Sequence, residues 1–192
     1  MKSKKKKFWY KLRRRRPQPA VVGFWFGIVL VIISASYIWY QRRVLSFHVV
    51  PASFDDQAEF RQPQPATIKI AKLGLELPVT ETWIENGVWQ IADGQVSHLN
   101  TSSRPGENSN IVMYSHNQQH LFGKLSWLEP EDEIVVENEA GLARTYLVKQ
   151  KQVVTPNDIQ LVLPTNHELL TLYTCTGLLD QQRLVVQAEP IN

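Results

Sequence analysis

One cysteine in 192 residues, Cys175, excludes an internal disulfide framework. What remains for it is a metal ligand without thiol partners, a buried filler or a reactive thiol. A zinc site of the usual kind is excluded as well, because no histidines cluster beyond His116 and His120. No cofactor or metal is expected. Residues 1–16 contain no acid, residues 20–40 contain no charge, and no internal repeat is present. With 20% charged and 43% apolar residues the chain is not of the disordered class. Its length suits one globular domain plus an appendage.

What is present is arranged unevenly. Ten basic residues precede position 17: Lys2, Lys4, Lys5, Lys6, Lys7, Lys11 and Arg13, Arg14, Arg15, Arg16. The eleven basic residues beyond them face all 18 acidic ones, so the rest of the chain is acidic. A nucleic-acid binder would spread its basic residues over the folded part, so nucleic acid is not an expected partner.

Residues 20–40 form an uncharged run of 21 residues, with Trp25 inside it and Tyr37, Trp39 and Tyr40 near its far end. As a helix it would reach about 31 Å, the thickness of a bilayer's hydrocarbon core. The interfacial aromatic residues agree with a membrane span. Ten basic residues before it, against Arg42 and Arg43 just after, predict a cytoplasmic tail (1–19) and an extracellular C-terminal portion. Ser34-Ala35-Ser36 offers a cleavage site of signal-peptide type, but the run continues past it, so a retained anchor is favoured.

Residues 41–66 carry Pro51, Pro63 and Pro65 among glutamines, without periodicity, and read as a stalk. Phe47, Phe54 and Phe60 in it could pack back onto the domain. Residues 67–192 read as β-rich, with strands expected over 68–73, 77–79, 110–115, 133–138, 143–154, 169–175 and 183–188. Gly74, Asn86-Gly87, Asp93-Gly94, Pro105-Gly106 and Gly141 punctuate them. Short helical stretches are expected at 120–128 and at 156–163, the latter capped by Thr155. Many short strands in so few residues suggest a closed barrel or a sandwich.

The chemistry centres on the thiol. A hairpin turning about Leu179 would set Cys175 directly opposite Arg183, on one face and within roughly 5.5 Å at Cβ. A guanidinium beside a thiol favours the thiolate and can bind the oxygen of an attacked carbonyl, so a thiol–cation pair at the barrel mouth is expected. A group that protonates the leaving amine is also needed, and histidine is the usual choice. His116 ranks first because it ends an apolar strand, and His120 second; His98 falls in a polar loop, His167 in a turn and His48 near the membrane. Taken singly, a lone cysteine at a strand end is more often a buried filler. Only the spacing of the set raises the odds.

Thr171-Leu172-Tyr173-Thr174-Cys175, followed by Arg183-Leu184-Val185-Val186, resembles the active-site strand pair of sortases. The segment from Asn110 through Ser115-His116 to Leu121-Phe122-Gly123-Lys124-Leu125 is similar to the family's histidine-bearing strand and the stretch after it. Ile68-Lys69-Ile70 with Pro78-Val79 resembles its opening strands, and Val154-Thr155-Pro156-Asn157-Asp158 the start of its substrate-flanking loop. This chain has Ser115 and Asn117 where the family often has Gly and Arg around the histidine.

The resemblance implies a mainly β fold, a closed eight-stranded sortase-type barrel with one or two short helices, behind the membrane helix. It implies a transpeptidase that cleaves a sorting signal of Leu-Pro-x-Thr-Gly type. Cys175 would attack the Thr carbonyl, His116 would protonate the departing amine and deprotonate the incoming one, and Arg183 would bind the oxyanion. Partners would be secreted proteins bearing the signal and an amine acceptor such as a peptidoglycan precursor, at the membrane. The alternatives are another cell-wall cysteine enzyme or a non-enzymatic anchored barrel. L,D-transpeptidases set His and Cys within a few residues, and cell-wall endopeptidases set Cys before His, whereas here His116 comes far ahead of Cys175. Glu129, Glu131, Asp132, Glu133, Glu137 and Glu139 match no calcium-loop spacing and read as a solvated acidic face.

Overall fold

The computed structural model describes residues 19–43 and 61–191. The basic tail, residues 44–60 of the expected stalk, His48 and the three stalk phenylalanines lie outside the described residues. The chain divides into two compact units, 1–42 and 43–192.

In the first unit, α1 (Pro19–Arg43) is a single helix of 25 residues. Its side chains are described for 23–37, which are uncharged and mostly exposed, Trp25 at 62% and Val31 at 68%. Among the described residues no helix is long and apolar enough to cross a membrane.

The second unit contains ten strands: β1 (Pro65–Ile70), β2 (Leu75–Thr82), β3 (Ile84–Glu85), β4 (Val88–Trp89), β5 (Val96–Leu99), β6 (Asn110–Tyr114), β7 (Glu133–Asn138), β8 (Ala143–Val154), β9 (Leu169–Thr176) and β10 (Gln182–Pro190). Eight of them close a barrel in the order β1-β2-β5-β6-β9-β10-β8-β7, and β3 pairs with β4 as a separate hairpin. The expected eight-stranded closed barrel is therefore what forms. The helical stretches expected after residue 120 and after residue 156 are 3-10 turns, Phe122–Trp127 and Ile159–Val162. Thr155 does not cap the second. Instead the Asp158 carboxylate accepts from the Thr155 amide at 2.8 Å and from its hydroxyl at 2.9 Å.

Side-chain alternation sorts the residues into two cores. Ile111 and Met113 of β6, Leu170 and Leu172 of β9, and Leu184 and Val186 of β10 point into the barrel, with Phe122, Leu125 and Tyr146. Their neighbours Val112, Tyr114, Tyr173, Cys175 and Val185 form a second cluster with Trp89 and Leu99 on the other face. β6 and β9 run parallel, and every residue of β6 is buried. Burial on both faces is why these strands read as continuous apolar runs.

Polar networks close the end remote from Cys175. The Glu168 carboxylate, just before β9, accepts from Arg144 at 2.6 Å, Tyr146 at 2.7 Å and the Gly106 amide at 2.9 Å. A buried carboxylate satisfied this way is tolerable; deprived of its cation it would be strongly destabilising. Residues 61–64 are fastened nearby: Arg61 donates to the carbonyls of Asn100 and Ser102, and Gln64 donates to Glu81 at 2.9 Å.

His98, expected in a loop, sits in β5 and is fully buried. Burial pushes its imidazole down to about 4, outweighing the pull of Glu81 at 4.0 Å. Its four-residue strand carries polar residues among apolar ones, so no alternation marked it.

Candidate active site

The β9–β10 hairpin brings Cys175 and Arg183 together. The two are direct cross-strand partners, with Thr176 opposite Gln182 and Thr174 opposite Leu184. Gly177 opens the turn at φ +81°, a conformation that L side chains rarely adopt. A 3-10 turn over Leu178–Asp180 follows, ending on Asp180 at φ +55°. The turn exposes Leu178, 83% accessible.

The pair lies at the turn end of β9 and β10. Cys175 has the parity of Tyr173 and Val185, so it faces the second cluster, on the outer wall of the sheet. Both side chains are buried, Cys175 to 5% and Arg183 to 3% exposure. Arg183 donates from Nη1 to the carbonyls of Asp180 at 2.7 Å and Gln182 at 2.9 Å. Burial pushes the Cys175 thiol up to about 11; Arg183 pulls it down and Asp180 pushes it further up. The desolvation of the thiolate outweighs the nearby cation, so the thiol is protonated in the free protein near neutral pH.

β6 delivers the histidine. Its parallel register with β9 matches Asn110 to Leu169 and Tyr114 to Tyr173. Beyond the strand, the Ser115 amide donates to the Tyr173 carbonyl at 3.3 Å and the Thr174 hydroxyl to the Ser115 carbonyl at 2.9 Å. His116 follows two residues after the last paired residue, Tyr114, where the chain leaves the strand. Ser115, where the family often has glycine, is fully buried and donates to the Gln95 carbonyl at 2.7 Å.

The His116 carbonyl accepts from the amides of Gln118 at 2.9 Å and Phe122 at 3.3 Å, which folds the following loop back on itself. Gly123 permits this fold, because a Cβ there would meet the Gln118 backbone at 2.7 Å. His120 remains exposed in that loop, and His167 is exposed at the far end of β9. The structure thus pairs Cys175 with Arg183 and ends the strand beside β9 two residues before His116.

The surroundings came from residues that pattern reading did not single out. Trp89, in the hairpin turned by Asn86-Gly87, lies with its ring 4.9 Å from that of Tyr114 and 6.2 Å from that of Tyr173. Tyr114 hydrogen-bonds Thr82 at 2.8 Å and the Gln90 carbonyl, fastening the hairpin to the wall. Asn110 donates to the carbonyls of Leu161 and Leu163, both at 3.0 Å, and accepts from Thr171 at 2.7 Å. That pins the segment after β8 over the outer face, where Leu161 and Val162 pack on the second cluster. An amide opening an apolar strand is the only sequence sign of this role.

The acidic face is partly balanced by lysines. Lys72 reaches Asp132 at 2.7 Å and Glu129 at 3.2 Å, and Lys149 reaches Glu131 at 2.9 Å. Among the described residues no group of three or more His, Cys, Asp or Glu is placed to hold a metal.

The family model of the sortase domain matches residues 68–191. The chain belongs to the sortase family. It is accordingly a transpeptidase of the sortase family, built on the barrel that family uses. Among solved structures, a sortase D5 transpeptidase of Clostridium perfringens is 22% identical, with a TM-score of 0.58 over 70% of this chain and 84% of that one. Sortase C-1 of Actinomyces oris is 26% identical, with a TM-score of 0.57 over 68% and 75%. Sortase A of Corynebacterium diphtheriae is 24% identical, with a TM-score of 0.58 over 82% of each chain. A search of curated proteins finds no match.

Proposed function

We propose that this sortase cleaves a sorting signal of Leu-Pro-x-Thr-Gly type through a thioester on Cys175 and transfers the acyl group to a cell-wall amine, such as a peptidoglycan precursor. The observation that carries the reading is the buried guanidinium of Arg183 directly opposite the only thiol, with the strand that leads to His116 in parallel register with β9. In the first half-reaction Cys175 gives its proton to His116 as its sulfur bonds the scissile carbonyl carbon. Arg183 donates to the carbonyl oxygen as it becomes an oxyanion. Collapse breaks the C–N bond, and His116 passes the proton to the departing amine. In the second half the incoming amine attacks the thioester, His116 takes its proton, and the sulfur leaves and is reprotonated.

Burial of the thiol fits one other reading, an inert cysteine in a binding module. The residue opposite argues against it. An apolar filler gains nothing from a guanidinium buried across from it, and burying that charge costs several kcal/mol. Mass spectrometry of the chain incubated with a library of candidate sorting peptides separates the two. An acyl adduct mapped to Cys175 is expected; a folded chain that acquires none from any peptide would remove the thioester from the reading.

The proposed setting is the outer face of the cell membrane, with α1 as a retained anchor and the N-terminus inside. Support comes from the uncharged run at 20–40 and the ten basic residues before it. Protease added to intact cells should therefore remove the Cys175-bearing domain. Protection of that domain until lysis would reverse the orientation.

A further inference from the structure

Between β8 and β9 the chain runs from Thr155 to Glu168 with one 3-10 turn, Ile159–Val162, and no strand. The backbone groups of this segment have no ladder to pair with, so other groups must satisfy them. Three consecutive side chains at the start of β6 do so. Asn108 donates from Nδ2 to the Asn166 carbonyl at 3.1 Å. Ser109 Oγ accepts from the Thr165 amide at 3.1 Å. Asn110 donates from Nδ2 to the carbonyls of Leu161 and Leu163, each at 3.0 Å. Its Oδ1 accepts from the Thr171 hydroxyl of β9 at 2.7 Å, which settles the way the carboxamide faces. Asn110 is 1% exposed and Thr171 is fully buried, so water does not compete for these bonds.

The run Asn108-Ser109-Asn110 is thus a clasp on the backbone of residues 161–166, and it leads into a strand buried at every position. What it holds borders the thiol's surroundings. Leu161 and Val162 pack half-buried on the cluster that contains Cys175. Ile84 of the β3–β4 hairpin and Ile91 just after it pack on the same cluster. We propose that Asn110, assisted by Asn108 and Ser109, is a positioning residue for peptide binding: it holds Leu161 and Val162 in place before a peptide arrives at Cys175. This rests on the peptide cleavage proposed at that residue. A wall ordered in advance spares the bound peptide the entropy of ordering it, and that saving shows in KM. Asn110 is paired with Leu169, at the end of β9 remote from Cys175, so its influence on the site runs through the segment it clasps.

The test uses the full chain. Asn110→Asp keeps the size and the acceptor for Thr171, loses both donors and turns a carboxylate oxygen on the two carbonyls. KM for a cleaved peptide should rise about tenfold, with kcat changed less than about twofold. In a background carrying Leu161→Ala and Val162→Ala, the same substitution should raise KM by less than about twofold more. An equal rise in both backgrounds, or a loss confined to kcat, would overturn the proposal. Asn108→Ala with Ser109→Ala, at an exposed and a half-buried position, leaves the buried strand untouched and should raise KM about threefold. Hydrogen exchange reads the clasp without activity: amides of 159–166 should exchange about tenfold faster in either variant, while those of β6 and β9 keep their rates. Unaltered exchange across 159–166 would overturn the clasp itself, and faster exchange with unchanged KM would overturn its role in binding. Absence of any acyl adduct on Cys175 would instead remove the catalytic reading, and this role with it, while leaving the exchange result standing.

Discussion

Replacing Cys175 by alanine should abolish peptide cleavage while leaving the barrel folded. The sulfur is the atom that would bond the carbonyl carbon, and Cys175 is the only cysteine of the chain, so no neighbouring thiol can substitute for it. The structural effect should be small. Cys175 belongs to the outer cluster rather than the barrel interior, and loss of one sulfur leaves a cavity costing about 1 kcal/mol. Its backbone bonds to Arg183 in the β9–β10 ladder do not depend on the side chain. The thermal midpoint should therefore move by only a few degrees. Retained turnover in this variant would show that cleavage does not pass through the thiol.

The pairing at the centre of the site was legible because a hairpin obeys simple symmetry. Equal distances from Leu179 put Cys175 and Arg183 opposite each other, and that is the register formed. The face they share was not legible. Leu169 through Cys175 is buried at every position, so no alternation distinguishes inside from outside, and Cys175 packs with the second cluster. The parallel contact of β6 with β9 joins segments 59 residues apart through two intervening strands. No local pattern specifies such a contact; His116 could be ranked only by its place after a strand. β5 went unrecognised because Val96–Leu99 is short and mixes Ser97 and His98 with apolar neighbours. The Asn86-Gly87 turn was recognised, but two-residue strands on either side of it are too brief to carry a period. Trp89, and with it the bordering wall of the site, was missed for that reason.

His116 and Arg183 could both act merely by favouring the thiolate, and their substitutions should separate that role from the ones proposed. Arg183→Lys keeps the charge across from Cys175 but loses the planar fork and the arrangement of its donors. Turnover should fall on the order of 10²-fold, about 2.7 kcal/mol, as for removal of one oxyanion donor. His116→Ala should slow both thioester formation and its aminolysis, because a proton carrier serves each. Reaction of Cys175 with a small alkylating agent needs neither an oxyanion contact nor a leaving-group proton. Burial holds the thiol at about 11, above its ordinary value, so the neutral form dominates near pH 7. The reactive thiolate fraction must then grow as pH rises, and the alkylation rate should still be climbing at about pH 10, where an exposed thiol levels off. Arg183→Lys should leave that profile nearly in place, since the charge that lowers the thiol's value is retained. The measurement is peptide turnover and alkylation rate across the same pH range in both variants. Full turnover in Arg183→Lys would mean that a simple positive charge suffices, and the oxyanion role would have to be given up. An alkylation profile that fell as steeply as turnover would instead place Arg183's whole effect on the thiol.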